Sequence, residues 1–339
     1  MQAAGMDAWW DAEELAVFGL FEVLSHFPRL LRLRRKLHRR LLALSPDVFI
    51  GIDAPDFNLG LEIKLKRAGI RTVHYVSPTV WAWRQKRVRK IGKAADLVLC
   101  LFPFEPQFYN GHNVPAAYVG HPMADQISAD FDPVGARTKL GLEPSALTVG
   151  LLPGSRVSEA ERLSEPMIDA TRLLASRYPG VQFVAAIANE KVRNVFQESI
   201  SRLGVTHIHL VEQQPRTVIA AADAVMSASG TATLETMLVN RPLVMTYRLA
   251  GASYQLAKSL RLFKIPRFAL PNILAGELLV PELIQNEATS ERLAEEIGKW
   301  LDDKDACAHL QQQFLALHEQ LRCDASQQAA SAVAGLLDS

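Results

Sequence analysis

Short runs of consecutive apolar residues recur along the chain, and each is followed by a polar turn and a longer amphipathic stretch. These runs lie at 48–52, 72–76, 97–102 and 116–120, and then at 147–153, 182–187, 208–211, 224–229 and 242–247. Their apolar positions are continuous rather than alternating, which predicts strands buried on both faces, as in parallel sheets covered by helices. The strand–helix order therefore predicts an α/β fold with two parallel sheets.

The length of 339 residues exceeds what one hydrophobic core usually serves, so we expect two domains. A boundary is predicted within 127–142, where the apolar density falls and Asp132-Pro133 interrupts the pattern. This gives a first domain over 1–126 and a second domain over 127–314. From about residue 287 onward, apolar residues at helical spacing predict helices to the end of the chain.

Composition excludes several classes of protein. Hydrophobic residues make up 49% and charged residues 22% of the chain, and the net charge is +1, so no overall charge favours nucleic acid. Cys100, Cys307 and Cys323 lie far apart, which predicts neither a disulfide framework nor a zinc site and fits a reducing cytosol. No cluster has metal-ligand spacing and no run of about 18 apolar residues occurs, so we expect no metal, no cofactor and no transmembrane helix.

The stretch SASGTATLETML, 227–238, places small residues between a predicted strand and a predicted helix. Ligands of doubly wound sheets bind at such strand ends, where the backbone can approach closely and the helix dipole attracts a phosphate. This favours a nucleotide site at Ser229, Gly230, Thr231, Ala232 and Thr233, with Glu235 placed to accept hydrogen bonds from ribose hydroxyls. The alternative is an ordinary helix with Ser229 or Thr231 as its N-cap.

The stretch LLPGSRVSEAE, 151–161, has the same form, with Gly154 and Ser155 in the loop and Arg156 at the helix start. An arginine in this place can bind a diphosphate through two parallel hydrogen bonds and neutralise charge on a departing phosphate. A solvent-exposed arginine beside a capping serine is the alternative.

Two carboxylates follow the first predicted strand in PDVFIGIDAPDFN. Asp53, at the strand end, is a candidate general base for a substrate hydroxyl. Asp56 follows Pro55 and is expected to cap a helix that starts near Phe57. His121 has a similar strand-end position, and we expect it to be a structural hydrogen-bonding residue.

Two stretches combine apolar and basic side chains. In 16–44, a basic block between 32 and 40 follows the apolar residues Phe18, Phe21, Leu24, Phe27, Leu30 and Leu31. This combination is typical of an interfacial membrane segment, and equally of a core-facing amphipathic helix with a solvated basic face. The stretch 80–93 sets Trp81 and Trp83 beside basic residues. That pattern suits base stacking, a phosphorylated glycolipid or an ordinary basic helix, and nucleic acid is least favoured because no binding-module signature accompanies it.

Taken together, several segments resemble the lipid-A-disaccharide synthase family along the whole chain. They are, in order, IDAPDFN, HYVSPTVWAWRQKRVRKI, GHPMAD, LLPGSR, ASGTATLE and LPNILAG. The resemblance implies the GT-B architecture, with two Rossmann-like domains facing a cleft and a C-terminal helix, here 315–339, that returns to the first domain. It also implies an inverting, metal-independent glycosyltransferase of lipid A and lipopolysaccharide biosynthesis in Gram-negative bacteria.

The resemblance further implies the substrates and the site. A 2,3-diacylglucosamine unit would pass from UDP to 2,3-diacylglucosamine 1-phosphate, with Asp53 as base and Arg156 stabilising the UDP leaving group. The UDP-sugar would contact Gly154, Ser155, the 229–235 loop and Asn272. The 16–44 stretch would dock on the cytoplasmic face of the inner membrane. The expected partners are thus the two lipid substrates and the membrane surface but no nucleic acid, and a homodimer is left open.

The family pattern also includes a strand and a Gly-Glu-Thr-Ser-Gly-Asp loop ahead of the position that corresponds to Met1. A misassigned start codon, a fragment or a real truncation would each account for this difference. If this chain is all that is made, we expect a weakened first sheet and low or absent activity. Two alternatives follow from the residues. One is another GT-B enzyme acting on UDP-N-acetylglucosamine, and the other is a non-catalytic protein that retains UDP and membrane binding.

Overall fold

The computed structural model describes residue 5 and residues 7–10, 20–82, 85–249 and 266–338, with only the backbone for 20–27. Two parallel sheets, one of four strands and one of six, organise this part of the chain. Helices lie against both sheets. The α/β fold class predicted from the apolar runs is therefore confirmed.

The four-stranded sheet has the order β1-β2-β3-β4, and all of its ladders are parallel. Its strands are β1 (Val48–Ile52), β2 (Arg71–Tyr75), β3 (Leu97–Cys100) and β4 (Ala116–Tyr118). The accompanying helices are α1 (Leu20–Leu44), α2 (Pro55–Arg67), α3 (Val88–Ala94), α4 (Glu105–Asn110) and α5 (Pro122–Gln126).

The six-stranded sheet has the order β10-β9-β8-β5-β6-β7 and is also parallel. Its strands are β5 (Thr148–Leu152), β6 (Gln182–Ile187), β7 (Ile208–Glu212), β8 (Ala224–Ala228), β9 (Leu243–Tyr247) and β10 (Glu282–Ile284). Helices α6 (Pro133–Lys139), α7 (Val157–Arg177), α8 (Glu190–Leu203), α9 (Pro215–Ala221), α10 (Thr231–Leu238) and α11 (Leu270–Ala275) lie among them. The chain continues through α12 (Ser290–Asp302), α13 (Lys304–Leu321) and α14 (Ala325–Leu337).

Alternate residues of the central strands face two separate cores. Val149 and Leu151 of β5 pack with α7, α8 and α12, whereas Leu152 packs with α9, α10 and α13. Every residue of β5 and β8 is buried, which explains why these strands appear in the sequence as unbroken apolar runs. The predicted strands coincide with β1–β9 to within two residues, whereas the three-residue β10 was not predicted.

The last two helices join the domains. The end of α13 reaches α5, where a ring nitrogen of His318 lies 2.9 Å from the carbonyl oxygen of Ala124. Helix α14 then covers the first sheet, with Ala329 packed against Val73 and Leu99. The predicted return of the C-terminal helix to the first domain is therefore confirmed.

Gly120 allows the turn between α13 and α14 to lie close to the end of β4. Its φ of +86° falls in the left-handed region, and a Cβ there would lie 2.6 Å from the Cβ of Cys323. Beside it, the Asp125 carboxylate accepts hydrogen bonds from the backbone N–H groups of Asp324 and Ala325, at 2.9 and 2.7 Å. The turn between α13 and α14 is thus held against the first domain by close contacts that leave no room for a side chain at position 120.

From residue 28 onward, α1 is an amphipathic helix. Leu37 and Leu41 pack in one cluster with Leu61 and Leu65 of α2. The opposite face carries exposed basic side chains at 32, 35, 36 and 39, whereas the guanidinium of Arg40 lies 3.7 Å from the ring centroid of Trp9, beside that cluster. Leu30 and Leu31 are half-buried. Phe18 and the side chains of Phe21, Leu24 and Phe27 lie outside the described residues.

Candidate active site

The first cavity lies at the carboxyl edge of the second sheet, between β5 and β8. The chain runs from β5 through β6 to β7 on one side and returns to the other side of β5 with β8, so this is the point where strand order reverses. Ligands of open parallel sheets bind at such points. The cavity has a volume of about 360 Å³, and its lining includes 154–156, 186–188 and 228–232. We call it the switch-point cavity.

Two glycines shape this cavity. Gly230 has φ +115° and ψ −151°, a conformation that only glycine adopts readily. Gly154 has φ +101°, and a Cβ there would lie 2.8 Å from the Cβ of Glu159. Among the described side chains none caps α10, so the alternative in which Ser229 or Thr231 is an N-cap is wrong, and Gly230 itself occupies the N-cap position.

Two ion pairs frame the same cavity. The Arg156 guanidinium lies 2.6 Å from Glu159 on the first turn of α7, and its side chain is 63% exposed. Glu235 on α10 lies 2.9 Å from the Nε of Arg216 on α9. Each carboxylate therefore holds an arginine next to the cavity, and Arg156 is exposed enough to exchange its partner for an anionic ligand.

The second cavity lies between the two domains, and we call it the interdomain cavity. Its volume is about 610 Å³, and Asp53, 76–82, Glu105 and His121 line it from the first domain. Gly230 and Thr231 of the second domain line it as well, and they also line the switch-point cavity. The two cavities are therefore neighbours that share one turn of backbone.

Asp53 sits in a strained turn. Asp53 and Ala54 have φ of 49° and 41°, in the left-handed region that residues with a Cβ rarely adopt. Strain of this kind costs on the order of 1–3 kcal/mol per residue and is found mainly at functional sites. Helix α2 starts at Pro55, with Ala54 as N-cap, and Asp56 is 87% exposed and paired with Arg87. The expected capping role of Asp56 is therefore wrong.

A second strained turn follows β2. Val76 has φ 74°, and the loop after it is anchored by α4. The buried Glu105 carboxylate accepts hydrogen bonds from the indole N–H of Trp81 and from the backbone N–H groups of Leu101 and Phe102, all at 3.0 Å. Burial raises the pKa of Glu105 to about 7, although these three donors favour its ionised form.

His121 is the N-cap of α5. Its Nδ1 accepts a hydrogen bond from the backbone N–H of Met123 at 3.2 Å, and its ring tilts against Phe102. Burial lowers the pKa of His121 to about 4, with Asp125 opposing the shift. The ring is therefore neutral near pH 7, and the expected structural hydrogen bond is present.

Most of the predicted UDP-sugar residues come together. Gly154, Ser155, Arg156, Ser229, Gly230, Thr231, Ala232 and Glu235 all line the switch-point cavity. Thr233 is buried behind this surface, where its hydroxyl donates to the carbonyl of Gly230. Asn272 is fully buried as well, and its amide is bonded to the backbone of Leu279 and Val280 and to Glu282. In this structure Thr233 and Asn272 support the walls of the site.

Sequence reasoning missed four residues in or next to the site. Glu105 and Glu159 line the cavities, Arg216 pairs with Glu235, and Asn58 on α2 is hydrogen-bonded to the backbone of Asp53. For Glu159 a signal existed, because a Glu three residues after an N-cap commonly accepts a hydrogen bond from the N-cap backbone N–H, as Glu159 does from Arg156 at 3.4 Å. The other three depend on contacts between distant segments and have no local signature.

The two facing Rossmann-like domains, the returning C-terminal helix and a cavity at the switch point define the GT-B class. The UDP-GlcNAc 2-epimerase of Neisseria meningitidis, solved with UDP-GlcNAc bound, shares this fold with a TM-score of 0.61. The match covers 96% of this chain and 83% of that one at 13% identity, which shows the fold alone.

Sequence comparison identifies the family within this class. The family model for lipid-A-disaccharide synthetase matches residues 1–333. The lipid-A-disaccharide synthase of Xanthomonas campestris pv. campestris (strain 8004) is 53% identical over 99% of this chain and 77% of its own length. That of Xylella fastidiosa (strain M12) is 50% identical over 99% of this chain and 88% of its own length. The chain belongs to the lipid-A-disaccharide synthetase family.

Among the helices of the described residues, none has the length and apolar character needed to cross a membrane. The same part of the chain holds no group of three or more His, Cys, Asp or Glu side chains arranged to bind a metal.

We expect His121→Asn to reduce the acid sensitivity of the fold. Between pH 6.5 and about 4 the unfolded chain takes up a proton at His121 and the folded chain does not, so acidification lowers the free energy of unfolding. One pKa unit corresponds to about 1.4 kcal/mol, so this loss reaches about 3 kcal/mol. Asparagine keeps an N-cap acceptor but does not titrate. Urea unfolding at several pH values measures the difference, since other titrations are common to both proteins. Parallel pH curves would contradict the assignment.

Proposed function

We propose that this protein transfers a 2,3-diacylglucosamine unit from UDP to the hydroxyl of 2,3-diacylglucosamine 1-phosphate and releases UDP. The observation that carries the proposal is the turn at Gly230 and Thr231, which lines both cavities. A donor whose nucleotide occupies the switch-point cavity thereby presents its sugar to the interdomain cavity. Membership of the lipid-A-disaccharide synthetase family supports lipid A disaccharide as the product.

In this proposal the Asp53 carboxylate takes the proton of the acceptor hydroxyl as that oxygen attacks the anomeric carbon. The bond between the anomeric carbon and the UDP oxygen breaks, and the sugar inverts its configuration. Arg156 precedes the first turn of α7. Its guanidinium breaks its ion pair with Glu159 and stabilises the negative charge that develops on the departing diphosphate. Glu235 binds the ribose hydroxyls, and α10 directs its N-terminus at the phosphates.

The lining of the interdomain cavity suits a lipid acceptor. Trp81, Phe102, Leu234, Phe268, Leu270 and Ile273 give it a largely apolar surface. Apolar walls with a few polar groups favour acylated ligands over free sugars, because burying the acyl chains releases water from apolar surface. The alternative, an enzyme for unmodified UDP-N-acetylglucosamine, shares the fold but leaves this apolar lining unused.

Replacing the acylated donor distinguishes these functions. With 2,3-diacylglucosamine 1-phosphate present, we expect UDP release from UDP-2,3-diacylglucosamine and none above background from UDP-N-acetylglucosamine. Product analysis by mass spectrometry checks that a disaccharide forms. Turnover of UDP-N-acetylglucosamine without a lipid acceptor would favour the alternative, and UDP binding without turnover of any donor would favour the non-catalytic protein.

Arg156→Ala should lower kcat on the order of 10²–10³-fold, because it removes a positive charge from the leaving group. Arg172→Ala is the matched control. It lies on the same helix and pairs with an acidic residue three positions away, Asp169, as Arg156 pairs with Glu159. The control should retain wild-type kcat. Equal rates for the two variants would remove Arg156 from the mechanism.

The same proposal places the protein on the cytoplasmic face of the inner membrane, where its lipid substrates reside. The exposed basic face of α1 supports this placement, since each Lys or Arg near an anionic bilayer contributes about 1 kcal/mol. The apolar residues between 18 and 31 would supply the inserted part of this surface. The inner-membrane location and the formation of a homodimer remain predictions.

Arg35→Gln together with Arg39→Gln should weaken binding to anionic vesicles about 30-fold, which corresponds to the loss of two such contacts. Both side chains are exposed on α1 and point away from the Leu37 and Leu41 core contacts. Co-sedimentation with phosphatidylglycerol vesicles measures the change, and Arg172→Gln together with Arg202→Gln controls for net charge. If both double variants bind alike, α1 is not the docking surface.

A further inference from the structure

The turn that carries Asp53 lacks the local features that usually stabilise its conformation. Two consecutive residues with a Cβ, Asp53 and Ala54, lie in the left-handed region. Glycine, asparagine and aspartate are the common choices there, whereas alanine is not. Such backbone persists only where the surroundings fix it. One fixing contact is the Asp53 N–H, which donates to the carbonyl of Tyr75 at 2.8 Å and so extends the β1–β2 ladder.

The other fixing contact comes from Asn58 on α2. Its side-chain amide donates two hydrogen bonds, to the carbonyl oxygen of Ile52 at 3.1 Å and to that of Asp53 at 2.8 Å. Asn58 is only 9% exposed, so water competes little for these carbonyls. One amide thus binds the carbonyls on both sides of the Asp53 α-carbon and limits rotation of this residue.

Asn58 is itself held in place against the sheet. A Cβ at Gly51 would clash with Oε1 of Glu62 and lie 3.2 Å from the Cβ of Asn58, so this glycine lets both side chains of α2 pack against β1. One turn further along α2, Oε1 of the fully buried Glu62 lies at hydrogen-bond distance, 2.7 Å, from Nδ1 of His74 on β2. This buried pair fixes the register of α2 on the first two strands, and with it the position of Asn58.

We propose that Asn58 is a positioning residue for Asp53: it clamps the strained Asp53–Ala54 turn so that the carboxylate faces the interdomain cavity. The inference rests on the proposed role of Asp53 as the base. Asn58 lies outside the described linings of both cavities and acts through the backbone carbonyls of Ile52 and Asp53.

A double-mutant cycle tests the proposal. Asn58→Ala should lower kcat on the order of 10²-fold, the loss that a displacement of about 1 Å in a catalytic group produces. The affinity for UDP and the KM for donor should stay at their wild-type values, because the switch-point cavity is untouched. In an Asp53→Asn background, Asn58→Ala should cause no further loss, since the two residues act through one carboxylate.

Rescue provides a readout that a purely structural role would not give. Ala54→Gly relieves the left-handed strain at this position. Alone, it should leave kcat at the wild-type value. Combined with Asn58→Ala, it should raise kcat at least tenfold above that of Asn58→Ala alone. Should Asn58→Ala fail to accumulate as folded protein, Asn58→Asp takes its place in the cycle, with the exposed Asn110→Asp as the control for added charge.

The outcomes separate the two claims. Multiplicative losses from Asn58→Ala and Asp53→Asn, or a lower unfolding midpoint with unchanged kcat, would overturn the positioning role. Wild-type turnover in Asp53→Asn alone would overturn the role of Asp53 as the base, and with it the positioning role of Asn58.

Discussion

A chain that leaves a buried parallel strand and enters a helix within a few residues has to reverse at the carboxyl edge of the sheet, and the cleft is built from such reversals. The turns after β1, β2, β5 and β8 all include a positive φ. In the second domain these positions are Gly154 and Gly230, which let backbone approach a ligand closely. In the first domain they are Asp53, Ala54 and Val76, where side chains are retained and the surrounding contacts hold the strain.

The glycine turns of the second domain and the side-chain-bearing turns of the first domain suit different parts of the substrates. The second domain offers N–H groups and small side chains, which suit the invariant phosphates of a nucleotide. The first domain offers the carboxylate of Asp53 and, on another loop, the indole of Trp81, which is hydrogen-bonded to the buried carboxyl group of Glu105. A wall of this kind suits a chemically varied acceptor, since specificity there depends on side chains rather than on backbone.

The sequence predicted the parts of the molecule that depend on local pattern. Strands β1–β9 are detectable because both faces are buried, and the loops at 154–156 and 229–232 because small residues interrupt apolar runs. Strand β10 escaped prediction because three residues are too few to show a period. The clamp at Asn58, the Arg216–Glu235 pair and the buried amide of Asn272 escaped it because each joins segments whose neighbourhood only the folded sheet creates.

The turn at Gly230 and Thr231 belongs to the walls of two cavities, and this has a consequence for the order of events. A molecule that shifts this turn on one side alters the shape available on the other side, and the energetic effect is the same in both directions. Occupancy of the two cavities is then thermodynamically linked. In the proposed reaction, any shift of this glycine-centred turn on nucleotide release would also change the wall that contacts the lipid product.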